Sequence, residues 1–246
     1  QPQADNLDLE GVKAQHLDLA IGWDTQGFRR EQGAQLARIG LPVLLVQVDK
    51  LEQYPATFRY LGKIFGKPQR GEALASYIDQ ASQRLQQATT HIAPQQRLRV
   101  YYAESLDGLT SQCGKADRAE VISLAGASNA LPCQEVDGYQ QKPADLESNN
   151  VTPGFESLLK LDPDVIITRF AATATQIAQD PRWQRLSAVR NHKIYAIPTQ
   201  PFNWFDRPPS YMRIMGAQWL ASLLYPERVK IDITSETRHF YQLFFN

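Results

Sequence analysis

At 246 residues, with 26 basic and 26 acidic side chains, the chain has a formal net charge of zero. That balance argues against a nucleic-acid surface, which neutralises phosphates with a basic face. The length suffices for one large domain or two small ones with a sizeable core, and no apolar run approaches the roughly 20 residues that span a bilayer. The opening QPQADNLD carries no signal-peptide pattern and reads as a processed or trimmed end.

Residues 17–22 (LDLAIG) have strand character. Residues 28–39 (FRREQGAQLARI) have a helical pattern stopped by Gly40 and Pro42, and 43–48 (VLLVQV) read as a second strand. Strand, helix, strand predicts a parallel βαβ unit. Helical patterns follow at 56–65 and 70–92. In the second, Leu74, Ile78, Ala81, Leu85 and Ala88 recur at three- and four-residue spacing, a narrow apolar stripe on an otherwise polar helix. Such a helix of about 23 residues rises roughly 35 Å, which suits a spine between two lobes. Beyond Pro94, 97–103 (RLRVYYA) predicts a strand, 119–126 (AEVISLAG) a short helix ended by Gly126, and 130–150 a polar loop. Then come a strand at 165–168 (VIIT), a helix at 171–188, a strand at 193–198 (KIYAIP), and helices at 209–224 and 235–244.

LEGVKAQHLDLAIG (9–22) and FESLLKLDPDVIIT (155–168) share an order of features. A glutamate opens a short helix, an aspartate follows it eight residues later, and a strand comes next; Glu10 pairs with Asp18 and Glu156 with Asp164. Each strand leads to a helix, another strand, a polar loop and a helix. Two related α/β units on one long helix account for this; the alternative is two βαβ units alike by chance. Two lobes on a rigid helix would enclose a cleft, a preferred place for small ligands. In parallel sheets the lining residues follow the C-terminal strand ends. Here those are Trp23, Tyr102 to Asp107, Arg169 with Phe170, and 200–207 (QPFNWFDR).

These positions are aromatic and cationic. Trp23, Tyr102, Phe170 and Trp204, with Asn203 beside it, offer faces for a flat or greasy chelate. Arg118, Arg169 and Arg207 offer forked donors to carboxylate or catecholate oxygens. Each has a plainer alternative: Trp204 plugs the lobe core, Arg207 pairs with Asp206 or caps a helix, Arg169 lies on the surface, and one of Tyr101 and Tyr102 faces inward. Arg118 opens a helix, where the dipole disfavours a cation, so a ligand or carboxylate partner is expected. The set suits an anionic metal chelate such as a ferric siderophore, and tolerates an oxyanion or a metal–amino-acid complex. His16, His91, His192 and His239 lie away from these positions, so no directly ligated metal is expected. Cys113 and Cys133 form no CxxC pair; a disulfide between them would close a loop and imply an oxidising compartment, the alternative being two unrelated thiols. No nucleophile elbow, phosphate-binding loop, GxGxxG or HExxH is present, and nothing else points to an enzyme.

The element order, the Glu–Asp repeat, the long helix and the run DPDVIITRF…DPRWQRLSAVRNHKIYAIPTQPFNWFDRPPS resemble the class III substrate-binding proteins of ABC importers, over roughly residues 7–228. VYYAESLDGL followed by AEVISLAGASNA is similar to that group's second lobe. The resemblance implies an α/β fold of two Rossmann-like lobes with parallel sheets, joined by a long rigid spine helix, with the ligand cleft between the lobes. Residues 1–48 would form the N-terminal lobe, 49–95 the connecting segment and spine, and 96–246 the C-terminal lobe. It further implies a monomeric periplasmic protein without covalent cofactor. Such a protein captures a metal chelate, a ferric siderophore foremost, with cobalamin, haem, a nickel complex or molybdate as alternatives. It meets the membrane only through an ABC permease. Glu10 and Glu156 fall where the group docks on permease arginines; their ordinary reading is helix-dipole decoration. The group usually carries further strands and a helix ahead of LEGVKAQHLDLAIG. Two strands and two helices bury little core, so further upstream residues, with part of the binding site, are expected.

Overall fold

The computed structural model describes residues 8–23, 30–113, 116, 119–131, 150–206 and 210–246. The chain divides into two compact units, Gln1–Ala75 and Ser76–Asn246.

In the first unit, helix α1 (Leu9–Ala14) starts where the Asp8 side chain accepts from the Gly11 N–H at 2.9 Å, the usual N-cap solution for an orphan donor. Strands β1 (Ala20–Trp23) and β2 (Val43–Val46) pair in parallel, Ala20 opposite Val43 and Trp23 opposite Val46, with α2 (Arg30–Arg38) as the crossover. The predicted βαβ unit is therefore present. Helix α3 (Tyr54–Ile64) has Pro55 in its first turn, and α4 (Pro68–Thr89) begins on a proline, whose missing N–H costs nothing there. The two helices approach at glycines: a Cβ added to Gly71 would lie 2.4 Å from the Phe58 carbonyl oxygen. Helix α4 is the long helix read from the sequence. Ile78, Ala81 and Leu85 are buried as predicted, and the stripe continues through Ala75 and Thr89 rather than Leu74 and Ala88, which are half-buried. Tyr77, on a face read as polar, is also buried.

The second unit is built on a parallel sheet of β3 (Arg99–Ala103), β5 (Ser128–Asn129), β7 (Val165–Thr168) and β8 (Ile194–Ala196), in the order β5-β3-β7-β8. A short antiparallel pair, β4 (Ser111–Gln112) with β6 (Asn150–Val151), lies outside it. Helices α5 (Glu120–Leu124), α6 (Phe155–Leu161) and α7 (Ala171–Gln179) alternate with these strands. The predicted helix over 171–188 is broken. Pro181 forces Asp180 into an extended conformation (ψ 119°), so α7 stops, and a 3₁₀ turn (Trp183–Arg185) and a short α8 (Ser187–Arg190) follow. Tyr101, Leu158, Ile166, Ile177, Trp183 and Leu186 form the core. Helices α9 (Arg213–Leu224) and α10 (Ile233–Phe245) complete the unit.

The repeat is visible residue by residue. Asp8 and Gly154 are N-caps, Glu10 and Glu156 stand in the first turns, and His16 (φ 50°) and Asp162 (φ 36°) take left-handed backbone before each strand. Every pair is separated by the same offset in the chain.

Three carboxylates at such termini sit below their ordinary range. Burial raises the Asp162 carboxyl, but the Ser187 hydroxyl (2.6 Å) and N–H (2.7 Å) outweigh it. The Arg182 guanidinium lowers Asp180, and the Ser235 hydroxyl lowers Asp232. The unfolded chain binds protons at these groups first, near pH 3.9. Their stabilisation is therefore complete above that value and is lost as pH falls through the lower folded values. Denaturation midpoints should hold between pH 7 and 5 and drop below pH 4; a flat profile down to pH 3 would contradict this.

Candidate ligand site

The C-terminal ends of β3 and β7 lie side by side, joined by the Arg169 N–H donating to the Ala103 carbonyl at 3.0 Å. Phe170 caps α7, and the Thr168 hydroxyl donates to its carbonyl at 2.9 Å. The half-buried Arg169 guanidinium stands 4.8 Å over the Phe170 ring, a cation–π pair that orients the fork. After β3 the turn 104–110 is internally bonded. The Ser105 hydroxyl donates to the Asp107 carboxylate and lowers its pKa, while the Leu109 N–H donates to the same carboxylate at 3.0 Å. The Thr173 hydroxyl of α7 donates to the Leu106 carbonyl at 3.1 Å, and the Leu106 side chain is exposed.

The loop after β8 is an anchored structure. The Trp204 indole N–H donates to the Gln200 carbonyl at 2.7 Å, and the Trp204 backbone N–H to Pro198 at 3.1 Å. The Asn203 side-chain oxygen accepts from the N–H groups of Phe205 (2.8 Å) and Asp206 (3.3 Å). Asp206, fully buried, accepts from the Tyr102 hydroxyl at 2.9 Å. Burial, then the charges of Asp206 and Glu104, push the Tyr102 phenol well up, so it stays a donor at every physiological pH. Helix α9 presses on this loop through Gly216, where an added Cβ would lie 2.2 Å from the Trp204 carbonyl oxygen.

This placement corrects part of the sequence reading. Tyr102, Asn203 and Trp204 were expected to face a ligand; their side chains are enclosed, with their polar atoms committed inside the protein. Tyr101 and Tyr102 are both buried because a parallel strand is covered on both faces. Arg169 and Phe170 lie together at the strand ends, both half-buried. Arg118, Arg207 and Cys133 lie outside the described residues. Cys113 is buried against Leu131 and Val151 and is not a free thiol.

The sequence reading took in Glu104 only as part of the strand-end run from Tyr102 to Asp107, and passed over Gln112. Glu104, the first residue beyond β3, is buried and accepts from the Gln112 side-chain amide. An acid set directly after an apolar YYA run was the available signal.

In the first unit, Trp23 ends β1, half-buried, with its indole N–H buried and unpartnered among the described residues. Beyond β2 lies an open hollow of about 620 Å³ lined by Leu45, Gln47, Thr57 and Tyr60, where the Thr57 hydroxyl donates to the Gln47 carbonyl at 3.0 Å. Glu10 is exposed, and the Glu156 side chain is 82% exposed, 4.0 Å from Arg185. Among the described residues no group of three or more His, Cys, Asp or Glu is placed to hold a metal ion, and no helix is long and apolar enough to cross a membrane.

A family model described as periplasmic binding protein matches residues 5–201. The chain belongs to the periplasmic binding protein family. This periplasmic binding protein is 38% identical to the ABC transporter solute binding protein of Sulfurospirillum deleyianum, with a TM-score of 0.84 over 96% of this chain and 71% of that one. Its solved neighbours are class III members, and the α/β fold with parallel sheets and a long helix read from the sequence stands. It is 25% identical over 75% of its length to the molybdate-binding protein MolA of Haemophilus influenzae, and 27% over 82% to the vitamin B12-binding protein of Vibrio cholerae. It spans 49% of the Haemophilus protein and 66% of the Vibrio protein.

Proposed function

We propose that this protein is an extracytoplasmic solute-binding protein that captures a metal chelate, foremost a ferric siderophore, and delivers it to an ABC-type permease. The observation that carries the reading is the Arg169–Phe170 pair at the sheet's C-terminal edge in a chain of this family. A guanidinium over an aromatic ring joins an apolar face to an anion-binding fork in one place, which is what a flat anionic chelate needs. The buried indole N–H of Trp23 is a donor that a ligand oxygen would satisfy. We assign direct contact to Trp23, Arg169 and Phe170, with Arg118 and Arg207 as further cations. Tyr102, Asn203 and Trp204 hold the neighbouring loop. The family consists of solute-binding proteins, which favours capture over catalysis. Molybdate, bound by the Haemophilus relative, and cobalamin, bound by the Vibrio relative, are the alternative cargoes.

Glu10 and Glu156, exposed at equivalent positions of the repeat, are proposed to dock on permease cations. A bridge between Cys113 and Cys133 belongs to the same proposal, since it fits an oxidising compartment. Tryptophan emission titrated with iron(III) tris(2,3-dihydroxybenzoate), molybdate and hydroxocobalamin in parallel tests the cargo. Quenching by the ferric complex alone is expected, and Arg169→Ala should weaken it by roughly tenfold or more, since charge-assisted hydrogen bonds contribute about 1.5–3 kcal/mol. Saturable binding of only molybdate or cobalamin would replace the siderophore. Exchanging Glu10 and Glu156 together for alanine should leave binding intact and abolish uptake in cells; normal uptake would remove the docking role.

A further inference from the structure

We infer that the C-terminal helix α10 is a clasp that holds loop 200–206 in shape, with Tyr241 as its positioning residue; this rests on the proposed reading that the loop borders the ligand. The helix meets two parts of the second unit with two sets of side chains. One set binds α4. Glu236 accepts from the Tyr77 hydroxyl at 2.5 Å and from Arg84 at 3.1 Å, and Phe240 and Phe244 each stand 5.6 Å from the Tyr77 ring. Phe244 also stacks on Tyr211, centroids 4.8 Å apart. These contacts, with the Asp232 cap on Thr234 and Ser235, fix the helix in place.

The other set grips the loop. The Tyr241 hydroxyl donates to the Gln200 carbonyl, and the Phe245 ring meets Phe202 edge-on at 6.5 Å. Tyr241 and Phe245 are four residues apart, so they lie on one helix face. The Gln200 carbonyl is the oxygen that also receives the Trp204 indole N–H. One acceptor thus gathers a donor from the loop and a donor from the helix. At its far end the loop is tied to β3 through Asp206 and Tyr102. Burial raises the Tyr241 phenol, keeping it a proton donor across the working pH range. Ordering a loop costs conformational entropy residue by residue, and a loop already ordered spares a ligand that cost on binding. Tyr241 would thereby act on affinity through Trp204 and its neighbours.

The test compares the full chain with Tyr241→Phe, which keeps the ring, and Phe245→Ala, which removes the ring contact with Phe202. Hydrogen exchange is read at the amides of Trp204, Phe205 and Asp206, whose partners are Pro198 and Asn203. Roughly three- to tenfold faster exchange is expected there in each variant, as for the loss of one modest contact, with β3, β7 and the thermal midpoint nearly unmoved. Unchanged loop exchange, or acceleration spread equally through β3 and β7, would overturn the clasp. Titration with iron(III) tris(2,3-dihydroxybenzoate) forms the second arm, and weaker binding in step with faster exchange is expected. A loosened loop with unchanged affinity would overturn the positioning role. Failure of the unaltered protein to bind the complex would instead count against the siderophore reading, with exchange alone deciding the clasp.

Discussion

Replacing Arg213 with alanine should destabilise the protein by about 3–5 kcal/mol, the range for breaking a buried ion pair by removing one partner. Arg213 opens α9 and is 1% exposed. Its guanidinium donates to Glu120 of α5 at 2.6 Å and, through Nε, to the Ser210 carbonyl at 3.1 Å. The Glu120 side chain is only 17% exposed. Alanine at 213 therefore takes a charged donor from a part-buried carboxylate, and leaves a hole the length of an arginine. Chemical denaturation should show a lower midpoint with little change in slope. The pair is informative because its two ends behave differently from their sum. Arg213→Met combined with Glu120→Leu removes both charges and refills the space, and should recover most of the loss. A single mutant as stable as the parent would mean that Glu120 reaches water without Arg213. A double mutant as unstable as the single one would mean that packing, not charge, is what Arg213 supplies.

The sequence reveals this fold best where pattern and burial coincide. VIIT is a strand over Val165–Thr168 because four β-branched residues in a row, three of them apolar, suit a strand covered on both faces. The same covering explains the error at Tyr101 and Tyr102, since alternation of faces separates core from surface only where one face is wet. The helix predicted over 171–188 runs through Pro181, where backbone sterics end it at Gln179. Strands β4, β5 and β6, two residues each, are too short to carry a period. The candidate site divides in the same way. The Arg169–Phe170 pair follows from its place after a strand. The tie from Tyr102 to Asp206 joins residues more than a hundred positions apart, and the grip of Tyr241 on Gln200 joins a strand-end loop to the last helix. Such contacts are decided by packing in space, and composition locates the loop without showing what holds it.

Gly216→Ala should be the second strongly destabilising change, and its sign runs against helix propensity. In an ordinary helix interior this substitution stabilises by about 0.8–1.0 kcal/mol. At Gly216 the new Cβ would lie 2.2 Å from the Trp204 carbonyl oxygen and 3.3 Å from the Phe205 ring. The nearer atom is backbone, held by the bond from Trp204 to Pro198 and by the Asn203 bracket, so it yields only if the loop or α9 moves as a body. Overpacking of this kind costs about 1–3 kcal/mol. With the clash this severe the upper end applies, and a net loss of about 2 kcal/mol, or roughly 4–8 °C in Tm, is expected. Gly154→Ala is the control, because a Cβ there meets nothing within 4 Å and the backbone (φ −60°) accepts any residue; it should shift Tm by no more than about 1–2 °C. The displaced carbonyl also belongs to Trp204, so Gly216→Ala should speed exchange at Phe205 and Asp206, as the clasp variants do, but from the opposite side of the loop. A Gly216→Ala protein at least as stable as the parent would show that α9 and the loop do not meet at this distance. In that case Gly216 would not be what lets α9 seat against the loop that Tyr102 and Tyr241 hold from its two ends.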